Sequence, residues 1–272
     1  MRRESAVEGI VDIHTHILPG MDDGAQSLED ALAMARVAQE SGTSLLVATP
    51  HMDFASANTG GASEVVRSRA RALTAALESS GIPVRVLPGM ETAMDLHLPR
   101  LLACGEVLTI GDSGRYVLVE LPFQQIPEYA EKVVFELASA GYTPVIAHPE
   151  RCADVLKDPN RMYRLVRAGA IGQVNAGSLT GAFGRSIGKV AKILLGHGLA
   201  HVVASDGHSP TGARPCRLDQ AFAVVSRLLG REGATRAAKD VPQAMVLGES
   251  VRLETPERYS ARRWFVFGVV RG

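Results

Sequence analysis

Seven short apolar stretches alternate with helical ones along this chain, and six of the seven run into a histidine or a carboxylate. Strands are read at residues 9–13, 44–48, 83–87, 116–119, 143–147, 172–175 and 201–204, from runs of strand length rich in β-branched residues. Apolar residues at helical spacing mark 27–40, 64–78, about 128–140, 161–168 and 185–195, with Ser27 as an N-cap and Gly42 as a stop. Such alternation implies an α/β fold with a parallel sheet and right-handed crossovers. The residues that follow the strands are His14 and His16, His51, Glu91, Glu120, His148, and the pair Asp206 and His208. The stretch at 172–175 is the weakest of the seven.

Independent surface placement would scatter these residues over helices and loops, so their repeated position points to one convergent site. A closed β/α barrel brings the C-terminal ends of all its strands to one face. An open doubly wound sheet is the competing fold, but it gathers ligands only near its switch point. Side chains alternate along a strand, so His14 and His16 point the same way. Asp23 follows in a Gly-flanked turn, from which a carboxylate can swing back towards them.

The inventory is then His14, His16, Asp23, His51, Glu91, Glu120, His148, Asp206 and His208. Five imidazoles and four carboxylates exceed what one metal ion can use. They suit two or three borderline divalent ions such as Mn²⁺, Fe²⁺ or Zn²⁺, whereas Mg²⁺ and Ca²⁺ prefer all-oxygen shells. Three divalent ions exceed the charge of four carboxylates, and the positive remainder suits a hydroxide and a phosphate dianion. Such ions lower the pKa of a water from about 16 to about 7. Metal-assisted phosphoester hydrolysis is the chemistry these residues favour.

Other classes are set aside by composition. Lys plus Arg and Asp plus Glu both number 29, which gives no case for nucleic acid or an anionic membrane as a partner. Three scattered cysteines without a C-x-x-C pair argue against a disulfide framework and for a reducing compartment. Residues 1–5 lack the apolar run of a signal peptide, and no stretch is long enough to span a bilayer, so a cytoplasmic protein is expected. A cysteine-type tyrosine phosphatase needs Cys-x5-Arg. The residues six after Cys104, Cys152 and Cys216 are Ile110, Asp158 and Phe222, which closes that route.

The stretch from Asp12 to Gly24 (Asp-Ile-His-Thr-His-Ile-Leu-Pro-Gly-Met-Asp-Asp-Gly), Ala-Thr-Pro-His at 48–51 and Leu-Pro-Gly-Met-Glu at 87–91 resemble the polymerase-and-histidinol-phosphatase (PHP) superfamily. So do Val-Glu-Leu-Pro-Phe at 119–123, Val-Ile-Ala-His-Pro-Glu-Arg at 145–151 and Ala-Ser-Asp-Gly-His at 204–208. The resemblance is closer to its bacterial tyrosine phosphatases, which act on autophosphorylated kinases of capsule and exopolysaccharide synthesis. It runs from about Gly9 to Arg214 and continues to about Leu253. It implies a distorted (β/α)7 barrel of the PHP type, one domain over residues 1–253, with a trinuclear metal site, Mn²⁺ first among the ions. By the resemblance, His14, His16, Glu91 and Asp206 hold one ion, and Glu91 bridges to a second shared with Glu120 and His148. Asp23, His51 and His208 hold the third, and Arg151 and Arg214 bind the substrate phosphate. The implied partner is a phosphotyrosine protein, the tyrosine-rich tail of a membrane-associated bacterial tyrosine kinase.

Two departures from the family pattern stand out. Residues 52–54 lack the second histidine often found in relatives, and residues 254–272 extend beyond the usual end with Arg-Arg-Trp-Phe-Val-Phe at 262–267. A docked or disordered terminus is expected there rather than a membrane-surface segment. A small-molecule phosphatase of the histidinol-phosphatase kind is the nearest rival reading. A metal-binding scaffold without catalysis is the rival from another class, since a barrel does not fix function. His97, His197 and His201 are expected to be structural or surface residues.

Overall fold

A computed structural model describes residues 8–52 and 61–260; the segment at 262–267 and most of the loop after His51 lie outside them. Strand β1 (Ile10–Thr15) leads through α1 (Leu28–Glu40) to β2 (Thr43–Ala48) and the short β3 (His51–Met52). Helix α1 begins where it does because Ser27 and Asp30 cap each other, each side chain accepting the other's backbone N–H at 3.1 Å. It then buries Ala31, Met34, Ala35 and Ala38, a stripe at helical period. Next come α2 (Ala62–Ser79), β4 (Arg85–Pro88), β5 (Glu91–Ala93), α3 (Leu98–Ala103), β6 (Tyr116–Glu120), α4 (Ala130–Ser139) and β7 (Thr143–Ala147). The chain continues through α5 (Ala153–Lys157), α6 (Asn160–Arg167), β8 (Ile171–Asn175), α7 (Ala176–Thr180), α8 (Arg185–Gly196), β9 (Val202–Ala204), α9 (Asp219–Thr235) and α10 (Val241–Val246).

Every strand pair is parallel, and the fold is mixed α/β. Hydrogen bonding divides the strands into two sheets, ordered β1-β2-β4 and β3-β5-β6-β7-β8-β9, neither of which closes on itself. Two of the seven expected strands are broken, so nine strands stand among the described residues where seven are expected. Pro50, which has no N–H to give a neighbour, separates β2 from β3. Gly89 separates β4 from β5 and passes so close to β2 that a Cβ there would lie 2.9 Å from Val47 Cγ1.

Alternation along the strands feeds two apolar clusters. Leu45, Val47, Tyr116, Leu118, Val145, Ala147, Val202 and Ala204 share one with Val241, Met245 and Val246 of α10. Leu46, Ala48, Val117, Val119, Ile146 and Val203 face the other way, into the larger cluster with the helices. Both α9 and α10 escape a reading of helical period. Gly230 breaks α9 with φ +79°, and a π-turn at Arg236–Asp240 joins it to α10. Beyond Leu253 the described part of the extension lies against the body. Glu257 N–H donates to the His197 carbonyl (2.8 Å), and the Asn160 side chain accepts from Tyr259 N–H (2.9 Å) and donates to its carbonyl (3.2 Å).

Candidate metal centre

The nine expected ligands meet at the C-terminal ends of the strands. His14 and His16 come from the end of β1, His51 from β3, Glu91 from β5, Glu120 from β6, and His148 from just after β7. Asp206 and His208 follow β9, and Asp23 comes from the turn after β1. That turn depends on Gly24, where a Cβ would sit 2.0 Å from the His16 carbonyl oxygen. Two of the expected ligands, His148 (φ +31°) and Asp206 (φ +53°), hold left-handed backbone that costs a non-glycine residue about 1–3 kcal/mol. Two contacts join β1 to the segment after β9: Asp206 N–H donates to the His14 carbonyl (2.9 Å) and His16 N–H to the Gly207 carbonyl (2.8 Å).

Hydrogen bonds fix which ring nitrogen of His14, His16 and His208 carries the proton when the ring is neutral, as a metal ligand must be. The Asp206 Oδ2 carboxylate only accepts, so Asn175 Nδ2 donates to it (2.7 Å) and Asn175 Oδ1 faces Gln173 Nε2 (2.9 Å). Gln173 Oε1 is thereby left to accept from His14 Nδ1 (2.9 Å). His16 Nδ1 donates to Asp22 Oδ2 (2.7 Å), and His208 Nδ1 donates to the Asp206 carbonyl (2.8 Å). All three Nε2 atoms therefore present lone pairs.

Those of His14 and His16 lie 3.2 Å apart, and two neutral rings so held have no proton between them. Glu91 Oε2 lies 3.3 Å and 3.4 Å from them, and Asp206 Oδ1 lies 3.4 Å from each. Neither Glu91 Oε2 nor His208 Nε2, both buried, has a hydrogen-bond partner. Electron-donating atoms converging in this way fit a cation, and the mixed nitrogen and oxygen set fits a borderline divalent metal.

Around this core the ligand atoms gather in three overlapping groups: His14, His16 and Asp206; His14, Glu91 and His148; and His16, Asp23, His51 and His208. His148 Nε2 lies 3.1 Å from Glu91 Oε1 and 3.5 Å from Glu120 Oε1. His51 Nδ1 lies 3.1 Å from Glu91 Oε2, and Asp23 Oδ1 lies 3.5 Å from His51 Nε2 and 3.3 Å from His208 Nε2. Electrostatics also favour positive charge at this point. Burial pushes the His14 imidazole down, but Glu91 and Asp206 outweigh it and raise its pKa to about 9. Burial pushes Glu91 up, but His14, His148 and His16 hold it well below the usual carboxylate range. Glu120 is raised, by burial and then by the Glu91 charge.

Both expected arginines reach the rim. Arg151 Nη1 donates to Asp206 Oδ2 (3.1 Å), and Arg214 Nη1 and Nη2 lie 3.6 Å from Asp206 and Asp23. Glu150, fully buried, accepts from Asn175 N–H (2.8 Å) and Ser178 Oγ (2.6 Å), tying the loop of Arg151 to β8. The three histidines not expected to be ligands lie apart from the cluster. His97 is exposed beside Asp95 (2.8 Å), His197 packs edge-on against Tyr259, and His201 Nδ1 accepts from Gly172 N–H (3.3 Å).

The residues that orient the ligands are not among those the sequence singles out. Asp22 is one: besides holding His16 it accepts from the His51 N–H (3.1 Å), and His16 pulls its pKa down to about 2 against burial. Gln173 and Asn175 are the others. Their signal is the alternation of 172–175, which sets two amides on one face, and a search confined to His, Asp and Glu misses it.

The chain is similar to known proteins over most of its length. The family described as capsular polysaccharide synthesis, CpsB/CapC, matches residues 10–247. Tyrosine-protein phosphatase YwqE of Bacillus subtilis is 34% identical over 258 residues, 95% of this chain and 100% of that protein. Tyrosine-protein phosphatase CpsB of Streptococcus pneumoniae is 26% identical, covering 89% of this chain and all of its own. A crystal structure from work on YwqE and CpsB, reported as metal-dependent tyrosine phosphatases, superposes with a TM-score of 0.86 at 33% identity, over 92% of this chain and 100% of that one. Dihydropyrimidinase of Brevibacillus agri shares the fold alone, with a TM-score of 0.52 at 12% identity over 93% of this chain and 74% of its own.

Proposed function

From the premise that this chain belongs to the CpsB/CapC family of capsular polysaccharide synthesis, we propose that it is a metal-dependent protein-tyrosine phosphatase. The observation that carries this reading is the convergence of lone pairs and carboxylates from β1, β3, β5, β6, β7 and β9 beside two arginines. His14, His16, Glu91 and Asp206 would hold one ion, Glu91, Glu120 and His148 a second, and Asp23, His51 and His208 a third. Two or three Mn²⁺ ions, with Fe²⁺ or Zn²⁺ as alternatives, are the cofactor this reading takes. Such ions supply Lewis acidity and a nucleophile at neutral pH. Arg151 and Arg214 offer planar forks to phosphoryl oxygens and keep their charge throughout. Their approach to Asp206 Oδ2, while Oδ1 faces the imidazoles, supports a phosphate bound beside the ligand cluster.

The substrate in this reading is the tyrosine-rich tail of a membrane-associated kinase, met in the cytoplasm. No helix among the described residues is long and apolar enough to cross a membrane. We also read the two sheets as arcs of one distorted (β/α)7 barrel. Three features support this: β2 and β3 are one strand interrupted at Pro50, β4 and β5 one interrupted at Gly89, and Thr15 bridges to Gly207. The barrel would fill residues 1–253, with 254–272 as an appended tail.

The test is turnover of a phosphotyrosine peptide, a phosphoserine peptide and histidinol phosphate by purified protein, before and after chelation. Phosphotyrosine hydrolysis should lead, vanish with chelator, return with Mn²⁺ and ignore thiol alkylation. Turnover that resists chelator and yields to alkylation would contradict the reading. A preference for histidinol phosphate would favour the small-molecule rival.

A further inference from the structure

We propose that Phe123 is a specificity-determining residue that reads the aryl group of the ester, an inference that rests on the phosphatase reading above. Phe123 is one of the few large apolar side chains left open to solvent, 47% exposed, and it stands at the lip of the metal centre. Its ring is nearly parallel to that of His148 (18°, centroids 6.1 Å apart), and the Arg151 guanidinium lies over it at 4.8 Å. It thus touches one expected ligand and one expected phosphate-binding arginine, with nearly half its surface free for a third group.

Phe123 leaves nearly half of its apolar surface in water, which folding alone does not reward. It is nonetheless held in place. Glu120 closes β6, and Pro122 turns the chain out of the sheet. The Phe123 carbonyl then accepts from Ala153 N–H (2.7 Å), and Ile126 N–H donates to Asp154 Oδ2 (3.1 Å). Both bonds dock this loop on the start of α5, two residues after Arg151, so ring and guanidinium keep a fixed relation.

Phe183 has a different part. It covers Arg151 at 5.0 Å and is less exposed than Phe123, and a Cβ on Gly177 would lie 2.9 Å from its Cε2. Phe183 is therefore seated against α7 and serves to hold Arg151, whereas Phe123 keeps a free surface. A phosphate bound between Arg151 and the ligand cluster carries its ester substituent outwards past this rim. A phenyl substituent can pack on Phe123 in an offset or edge-on pair, which is worth something beyond its buried area. A seryl methylene is too short and too small to do so. The selectivity expected from such a pair is about 2- to 12-fold.

The experiment is calorimetric titration of the Mn²⁺-loaded protein with phenylphosphonate and methylphosphonate, which share a phosphonate head and differ in the aryl group. Wild type should bind phenylphosphonate more tightly by about 2- to 12-fold. Phe123→Ala should erase that ratio and leave methylphosphonate binding within about twofold, and Phe123→Trp should retain it. If Phe123→Ala weakens both ligands equally, Phe123 only props Arg151 and the inference falls; an unchanged ratio overturns it as well. Failure of the phosphatase reading shows separately, as wild type that hydrolyses no phosphotyrosine peptide whatever its phosphonate ratio.

Discussion

Strands β1 and β8 both end at the metal centre, yet they bring opposite kinds of side chain. From β1 come His14 and, just beyond it, His16, whose Nε2 lone pairs meet 3.2 Å apart with two carboxylates around them. From β8 come Gln173 and Asn175, neutral amides whose polar atoms are committed to His14, to each other and to Asp206. One strand offers atoms for a cation; the other decides which way the His14 ring and the Asp206 carboxylate face. For His14, binding and aiming are therefore carried by different strands, and substitutions on the two sides should fail differently.

The largest effect is expected on the binding side, at Glu91. Its two oxygens face different neighbours, Oε1 towards His148 and Oε2 towards His14, His16 and His51. Glu91→Gln leaves one amide nitrogen that cannot coordinate and removes a charge. It should lose more than one equivalent of metal and about 10³-fold or more in activity, since each ion is worth several kcal/mol to the reaction. Asp23→Asn makes the same chemical change at the edge of the cluster. It should lose one equivalent at most and recover with excess metal by mass action. Metal analysis of the dialysed variants separates them, and equal loss with equal rescue would mean that Glu91 does not bridge.

Next in size is Arg151, which shares Asp206 Oδ2 with Asn175. Arg151→Ala should reduce kcat by roughly 10²–10³-fold, the scale of one lost transition-state donor. Metal content should stay near that of wild type. An emptied centre would move Arg151 to the aiming side of the comparison.

The smallest effect belongs to β8. Gln173→Leu removes the acceptor that keeps the His14 proton on Nδ1, and such losses weaken metal affinity by about 10- to 100-fold. Gln173→Glu keeps an acceptor and should recover most of that loss in a competition titration against a metal indicator. If the two variants bind equally weakly, the amide acts through packing and not through the His14 tautomer.

The contrast between the strands also explains which residues are legible in the sequence alone. His14, His16, His51, His148 and His208 are legible because imidazoles at strand ends have few bland explanations when they recur. Glu91, Glu120 and Asp206 are legible for the same reason. Asp22 is not, because tandem aspartates do not say which one turns inward; here Asp22 holds His16 while Asp23 faces His51 and His208. The amides of β8 are not, because their role lies in a hydrogen-bond chain that only proximity creates. The breaks at Pro50 and Gly89 are written in the sequence, but their effect on the sheet depends on how closely β2 and β4 pack. Helix α9 is hidden by Gly230, whose φ of +79° ends one helical run and begins another.

In the proposed function, strand-end residues which recur along the sequence form one centre for more than one divalent ion. Anomalous diffraction at the manganese edge, from crystals grown with Mn²⁺, tests it most directly. The expected result is two or three peaks, each within coordination distance of His14, His16, Asp23, His51, Glu91, Glu120, His148, Asp206 or His208. A single peak, or peaks bound by other residues, would contradict it.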